Sequence, residues 1–197
     1  STRSKIFEGL PSTGIPPVLK NYSEFQKFMR TLQKANTIES IREVWWDIRP
    51  HPGYGTVEVR SCDSVTTLDQ MVELAALTQC LVVGLSDHYD DGTQLPMLDS
   101  WIVNENKWRA VRYGLDADLI IDDTGNQQSI KGVAIDTIER LLHRSKDLGC
   151  ENELHSIINR IENNSSPYIQ QIGKYNETGS FKAMIMSMVN DFYSSVS

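Results

Sequence analysis

The stretch Val44–Asp63, VWWDIRPHPGYGTVEVRSCD, limits what this chain can fold into more than any other part. Runs rich in Val, Ile, Trp and Thr flank His51-Pro52-Gly53-Tyr54-Gly55. Pro and Gly between such runs predict two antiparallel strands and their connection. Side chains alternate across a strand, so Glu58 and Arg60 share a face with Thr56, while Val57 and Val59 take the apolar one. In the first strand Asp47 and Arg49 share a face with Trp45, and Trp46 shares the other with Ile48. A loop from Pro50 to Gly55 pairs Arg49 with Thr56, Asp47 with Glu58 and Trp45 with Arg60. That register gathers carboxylates and guanidiniums on one concave surface, with Val57 and Val59 buried on the other.

Such a face has two readings. Cross-strand ion pairs on a solvated sheet are the commoner origin of the pattern. The other reading is an anionic substrate site. Asp47 and Glu58 side by side would suit a cation between them, Mg2+ preferring oxygen ligands, and the planar Arg60 would suit a phosphoryl oxygen.

The remainder predicts helical packing. Ser23 with Gln26 reads as a capping box for a helix with Phe25, Phe28, Met29 and Leu32 on its apolar stripe, ending near Ala35-Asn36. Thr67 with Gln70 opens a second helix, apolar over most of its circumference and expected to be central, which Gly84 ends. Asp87 to Gly92 then reads as a solvated acidic loop, lacking calcium-loop spacing. Asp99 can cap a third helix with Trp101, Trp108 and Leu115 as its stripe and Glu105–Arg109 as an ion pair. Residues 120–128 read as a turn. Four helices follow, with breaks at Gly149, at Asn163 to Pro167 and before Phe181.

Composition excludes some classes. A formal charge of −7 disfavours nonspecific binding to nucleic acid or to acidic membranes. No apolar run approaches the roughly 20 residues that cross a bilayer, and no signal-peptide layout is present, so the expectation is a cytoplasmic protein that binds neither membrane nor nucleic acid. Cys62, Cys80 and Cys150 are odd in number and widely spaced, suggesting neither a disulfide framework nor a zinc site; Cys80 reads as core.

Three segments in order, STRSKIFEGLPSTGIPP, WWDIRPHPGYGTVEVRSCD and ENKWRAVRYGLDA, with NNSSPYIQQIGKYNETGSFKAMI towards the end, resemble the carboxylate-amine ligases, the bacterial type-2 glutamate-cysteine ligases. The E-x-R of the second strand is shared more distantly with glutamine-synthetase-like ligases. The resemblance implies an α+β fold: antiparallel strands of a partial glutamine-synthetase-like sheet wrapped by about six helices. It implies one domain over residues 1–197, the C-terminal half of the catalytic domain, with metal and nucleotide ligands in a preceding half. The implied activity is ATP-dependent amide formation from amino-acid substrates through an acyl phosphate, a step of glutathione biosynthesis where the amine is cysteine.

By the same resemblance Glu58, with Asp47 as a weaker candidate, binds Mg2+, and Arg60 holds the transferring phosphoryl. Arg49 and Arg112 are candidates for the ATP phosphates, Arg3 for the amino-acid substrate, and Gly114 for a close backbone approach. A noncatalytic scaffold half, inactive without its other half, is the alternative; a homo-oligomer is compatible with either.

Overall fold

The computed structural model of the protein describes residues 2–95 and 97–196. Along the chain lie α1 (Thr2–Phe7), β1 (Thr13–Gly14), α2 (Tyr22–Lys34), a 3-10 turn at Ile41–Glu43, β2 (Trp45–Trp46), β3 (Ile48–His51) and β4 (Thr56–Val59). They are followed by α3 (Leu68–Asp90), α4 (Ser100–Tyr113), a 3-10 turn at Gly114–Asp116, β5 (Asp118–Ile120), β6 (Gln127–Ser129), α5 (Ile130–Asp147), α6 (Glu151–Glu162), α7 (Pro167–Thr178) and α8 (Phe181–Ser195). The class is α+β, with eight α-helices among the described residues and three two-stranded sheets. The chain divides into two compact units, Ser1–Asp63 with Asp99–Arg112, and Ser64–Leu98 with Tyr113–Ser197.

The first unit is organised by aromatic packing. Asn21, rather than Ser23, caps α2, its side chain accepting from the Glu24 N–H at 3.1 Å. Phe25 is then buried with Ile38, Val44 and Trp46, and Phe28, Met29 and Leu32 pack around them. The Trp46 ring meets Phe28 at 4.9 Å and Phe25 at 6.5 Å.

The hairpin is present, in a register two residues away from the expected one. Ile48 pairs with Val59, Arg49 with Glu58, Pro50 with Val57 and His51 with Thr56. The connection is therefore only Pro52 to Gly55, closed by the Tyr54 N–H donating to the His51 carbonyl at 3.0 Å and by Gly55 at φ +63°. His51 lies in β3 and stacks on Tyr54. A slip of two keeps every side chain on its face.

The expected burial fails: Val57 and Val59 are 54% and 39% exposed, and Ile48 is exposed beside them. A two-stranded ribbon has no second layer of its own, and no core cluster among the described residues includes that face. Trp46 and Ile48 also part company, because the chain bends at Asp47 and sends Trp46 into the α2 cluster.

In the second unit Thr67 caps α3 as expected, accepting from the Gln70 N–H at 3.3 Å, but the helix runs through Gly84 to Asp90. Gly84 serves packing: a Cβ there would lie 2.8 Å from Leu141 Cδ2 of α5. Asp87 to Asp90 are consequently helical, and Arg144 Nε donates to Asp87 at 2.6 Å. At full length α3 is long and apolar enough to cross a bilayer by length and composition alone, contrary to the expectation from the sequence. It behaves as a core helix on one face: Ala76 and Cys80 are buried with Ile138, Leu141, Leu154 and Ile161. Glu73 is buried in this unit as well, with Arg160 Nε donating to its two oxygens at 3.0 and 2.8 Å and Ser156 Oγ at 2.6 Å. Leu68, Met71, Val72, Val82 and Leu85 are exposed, so the all-round burial expected for α3 does not occur.

Residues 118–129 form the β5–β6 hairpin where a turn was expected. The breaks between α5, α6, α7 and α8 fall where the Gly, Asn and Pro signals put them, with Gly149 and Asn164 at positive φ. Gly114 does mark a close approach: at φ +59°, a Cβ on it would lie 2.6 Å from the Tyr168 ring, whose hydroxyl accepts the Leu115 N–H at 3.0 Å.

Candidate functional site

Asp47 is held between two neighbours in the first unit. Its N–H donates to the Gly14 carbonyl of β1 at 2.7 Å, and its own carbonyl accepts the Arg60 N–H at 2.6 Å, extending the β3–β4 ladder by one step. Backbone pairing thus brings the Asp47 and Arg60 side chains together at a small cleft lined by Arg3, Phe7, Glu8, Gly14, Trp45 and Lys107 as well. The α1 helix supplies Arg3, and α4 supplies Lys107.

The cleft is built from cations and rings. The Arg60 guanidinium lies 5.1 Å over the Trp45 ring, Trp45 meets Phe7 at 5.8 Å, and the Arg3 guanidinium lies 4.9 Å over Phe7. Arg3 Nη1 donates to the Arg60 carbonyl at 3.1 Å. Stacking on aromatic faces holds a guanidinium plane in a set orientation without consuming its in-plane donors. Lys107 Nζ pairs with Asp47 Oδ2 at 2.7 Å and with Glu8 Oε1 at 3.7 Å. Three cations therefore face two carboxylates in the lining, on a chain whose net charge is −7. The surplus positive charge suits a carboxylate or phosphoryl group. As it stands the cleft holds about 20 Å3, room for little more than one water, and a carboxylate or phosphoryl group would fit only with its side chains displaced.

Glu58 and Arg49 are placed beside this cleft and do not line it. Arg49 Nε and Nη2 donate to Glu58 Oε2 at 3.1 and 2.6 Å, and Arg60 Nη1 reaches the same oxygen at 3.3 Å. Arg49 Nη1 donates to the carbonyls of Ile41, Arg42 and Val44, closing the 3-10 turn. With all three nitrogens engaged and the residue 6% exposed, Arg49 is committed to the fold. The hydrogen bond from Arg49 does most to hold the Glu58 carboxyl below the ordinary range.

Mg2+ requires several oxygen ligands converging on one point. The Asp47 and Glu58 carboxylates each already meet a cation, and the expected pairing of the two across the hairpin is replaced by Arg49–Glu58. No group of three acidic, His or Cys side chains among the described residues is arranged to hold a metal. These two residues as arranged do not fit a Mg2+ site.

Arg112 lies in the last turn of α4, exposed and outside the cleft lining. Nor do Trp101 and Trp108 form the buried stripe of that helix, both being exposed; Ile102 is its buried residue, and Leu115 belongs to the following 3-10 turn. The Glu105–Arg109 pair forms as expected, at 2.9 Å. Sequence reasoning passed over Lys107 and Glu8, although both lie inside segments already singled out, because a lone charge on a helix or in a loop reads as solvated.

The family model described as glutamate-cysteine ligase family 2 matches residues 1–184. A protein of Frankia alni is 47% identical over 166 residues, covering 84% of this chain and 44% of the relative. One from Thermobifida fusca is 40% identical over 192 residues, covering 98% of this chain and 48% of the relative. Both carry names beginning "Putative glutamate--cysteine ligase 2". The chain spans about half the length of the curated relatives it matches.

Proposed function

The chain belongs to glutamate-cysteine ligase family 2, and from that membership we propose that it is the C-terminal half of an ATP-dependent carboxylate-amine ligase. A free carboxylate is a poor acyl donor because it has no leaving group. Transfer of a phosphoryl group from ATP to a glutamate-type carboxylate makes phosphate that leaving group, and an amine then attacks. In phosphoryl transfer a protein contributes chiefly positioning and charge neutralisation.

The observation that carries this reading is the cation-lined cleft anchored by the Asp47–Arg60 backbone pairing. Arg60, fixed in plane by Trp45, neutralises the transferring phosphoryl oxygens. Arg3 and Lys107 take the carboxylate of the amino acid, Lys107 exchanging its Asp47 partner for the substrate. Any Mg2+ that accompanies ATP is held by oxygens other than those of Asp47 and Glu58. The cytosol, where ATP is supplied, is the compartment this reading implies.

The test is Arg60→Lys in the full-length protein, which keeps the charge and loses the planar fork. A loss of ATP turnover on the order of 10²-fold, with an unchanged melting temperature, is expected for a preorganised contact to the transition state. Unchanged turnover overturns the assignment. A noncatalytic scaffold is the second reading, favoured by the saturated Arg49–Glu58 pair; it requires Arg60→Lys to alter stability alone.

A further inference from the structure

Cys80 and Cys150 are 70 positions apart in the chain, yet their sulfurs lie 3.6 Å from each other, in van der Waals contact. Cys80, on the inner face of α3, is fully buried among Ala76, Ile138, Leu141, Leu154 and Ile161. Cys150 is half-buried at the N-cap position of α6 and packs against the same cluster. Its backbone is pinned, because its N–H donates to the Ser145 carbonyl at 2.8 Å and the Gly149 N–H to that of Lys146 at 3.2 Å, a helix-ending pair of bonds that Gly149 permits at φ +70°. Both cysteines are thus held by their helices with the sulfurs facing, about 1.5 Å beyond the bond length of a disulfide. Closing that gap requires the two side chains to rotate towards each other.

We infer that Cys80 and Cys150 are a reversible dithiol–disulfide pair, which a low-molecular-weight disulfide oxidises to a staple between α3 and the start of α6. The Cys150 thiolate, the accessible one, attacks the reagent disulfide, forming a mixed disulfide and releasing one reagent thiol. Cys80 then loses its proton and attacks Cys150 Sγ, expelling the second reagent thiol. Two electrons pass from the protein to the reagent, one S–S bond forms and one breaks. A disulfide is also the oxidised product that suits this place: sulfenic or sulfinic acid would put an unpaired polar group into an apolar cluster. Burial pushes the Cys80 thiol up to about 11, so the second step accelerates as pH rises.

The experiment uses the chain with its exposed third thiol removed, Cys62→Ser, incubated natively with bis(2-hydroxyethyl) disulfide at several pH values. Expected are a mass lower by two hydrogens, a peptide linking Cys80 to Cys150, faster closure at higher pH and reversal by dithiothreitol. Closing so long a loop raises the melting temperature on the order of 10 °C, and Cys150→Ser abolishes the rise. A mixed disulfide that persists on Cys150 with Cys80 unreacted overturns the inference. So does a link that forms only after unfolding. If Cys62→Ser folds poorly, peptide mapping of the unsubstituted chain distinguishes the same outcomes.

Discussion

Two arginines that share one face of the hairpin separate at the level of single bonds. Arg49 spends its nitrogens on three main-chain carbonyls and Glu58, whereas Arg60 stacks on Trp45 and touches Glu58 with one nitrogen. Arg49→Met should therefore cost about 2–4 kcal/mol, since it strands buried carbonyls and a carboxylate, and chemical denaturation measures that loss. Asp122 offers a second test. Its carboxylate accepts from the Thr124 hydroxyl at 2.7 Å, Asn126 Nδ2 at 2.7 Å and the N–H groups of both residues, which together hold it down to about 2. The folded chain binds this proton less readily than the unfolded one, so the contribution is complete above about pH 4 and fades as pH falls through 2. Carboxyl NMR should give a midpoint near 2, and Thr124→Val with Asn126→Ala should return it towards 3.8.

Helix ends were legible where a cap and its partner stand close in sequence, as at Thr67 and Gln70. They were not where two candidates compete: Asn21 lies two residues before Ser23, and the helix takes the earlier one. Gly84 misled for a related reason. Its meaning lies in Leu141, 57 residues away in the chain, and local propensity carries no information about that neighbour. Gly84→Ala should consequently destabilise by about 1–3 kcal/mol although alanine is the better helix former, because the Leu141 methyl must shift. An unchanged or raised melting temperature would show that α3 and α5 are packed more loosely than described.

As a whole molecule the chain displays more apolar helix surface than its two cores cover. Phe181, Ile185, Val189 and Phe192 of α8 and Met71, Val72 and Val82 of α3 are all exposed. Its cleft offers cations, and no group of three acidic, His or Cys side chains among the described residues is arranged to hold a metal. Mixed with ATP, Mg2+, glutamate and cysteine, this chain alone should release no phosphate above background. Turnover by the purified polypeptide would refute the reading that its site is half of a larger one.

The sequence by itself determined the hairpin, the apolar stripe of α2, the breaks between the last four helices and the family, because alternation, helical periodicity and ordered motifs are local properties that survive small errors of register. A slip of two residues moved every cross-strand partner and left Arg49 and Glu58 on one face, directly opposite each other. Only the tertiary structure decided which charges meet. Lys107 reaches Asp47 from a helix 60 residues further along, Arg160 reaches Glu73 across 87, and Cys80 meets Cys150 across 70. Ion pairs and sulfur contacts form between groups a few ångströms apart in space, and a sequence records separation along the chain.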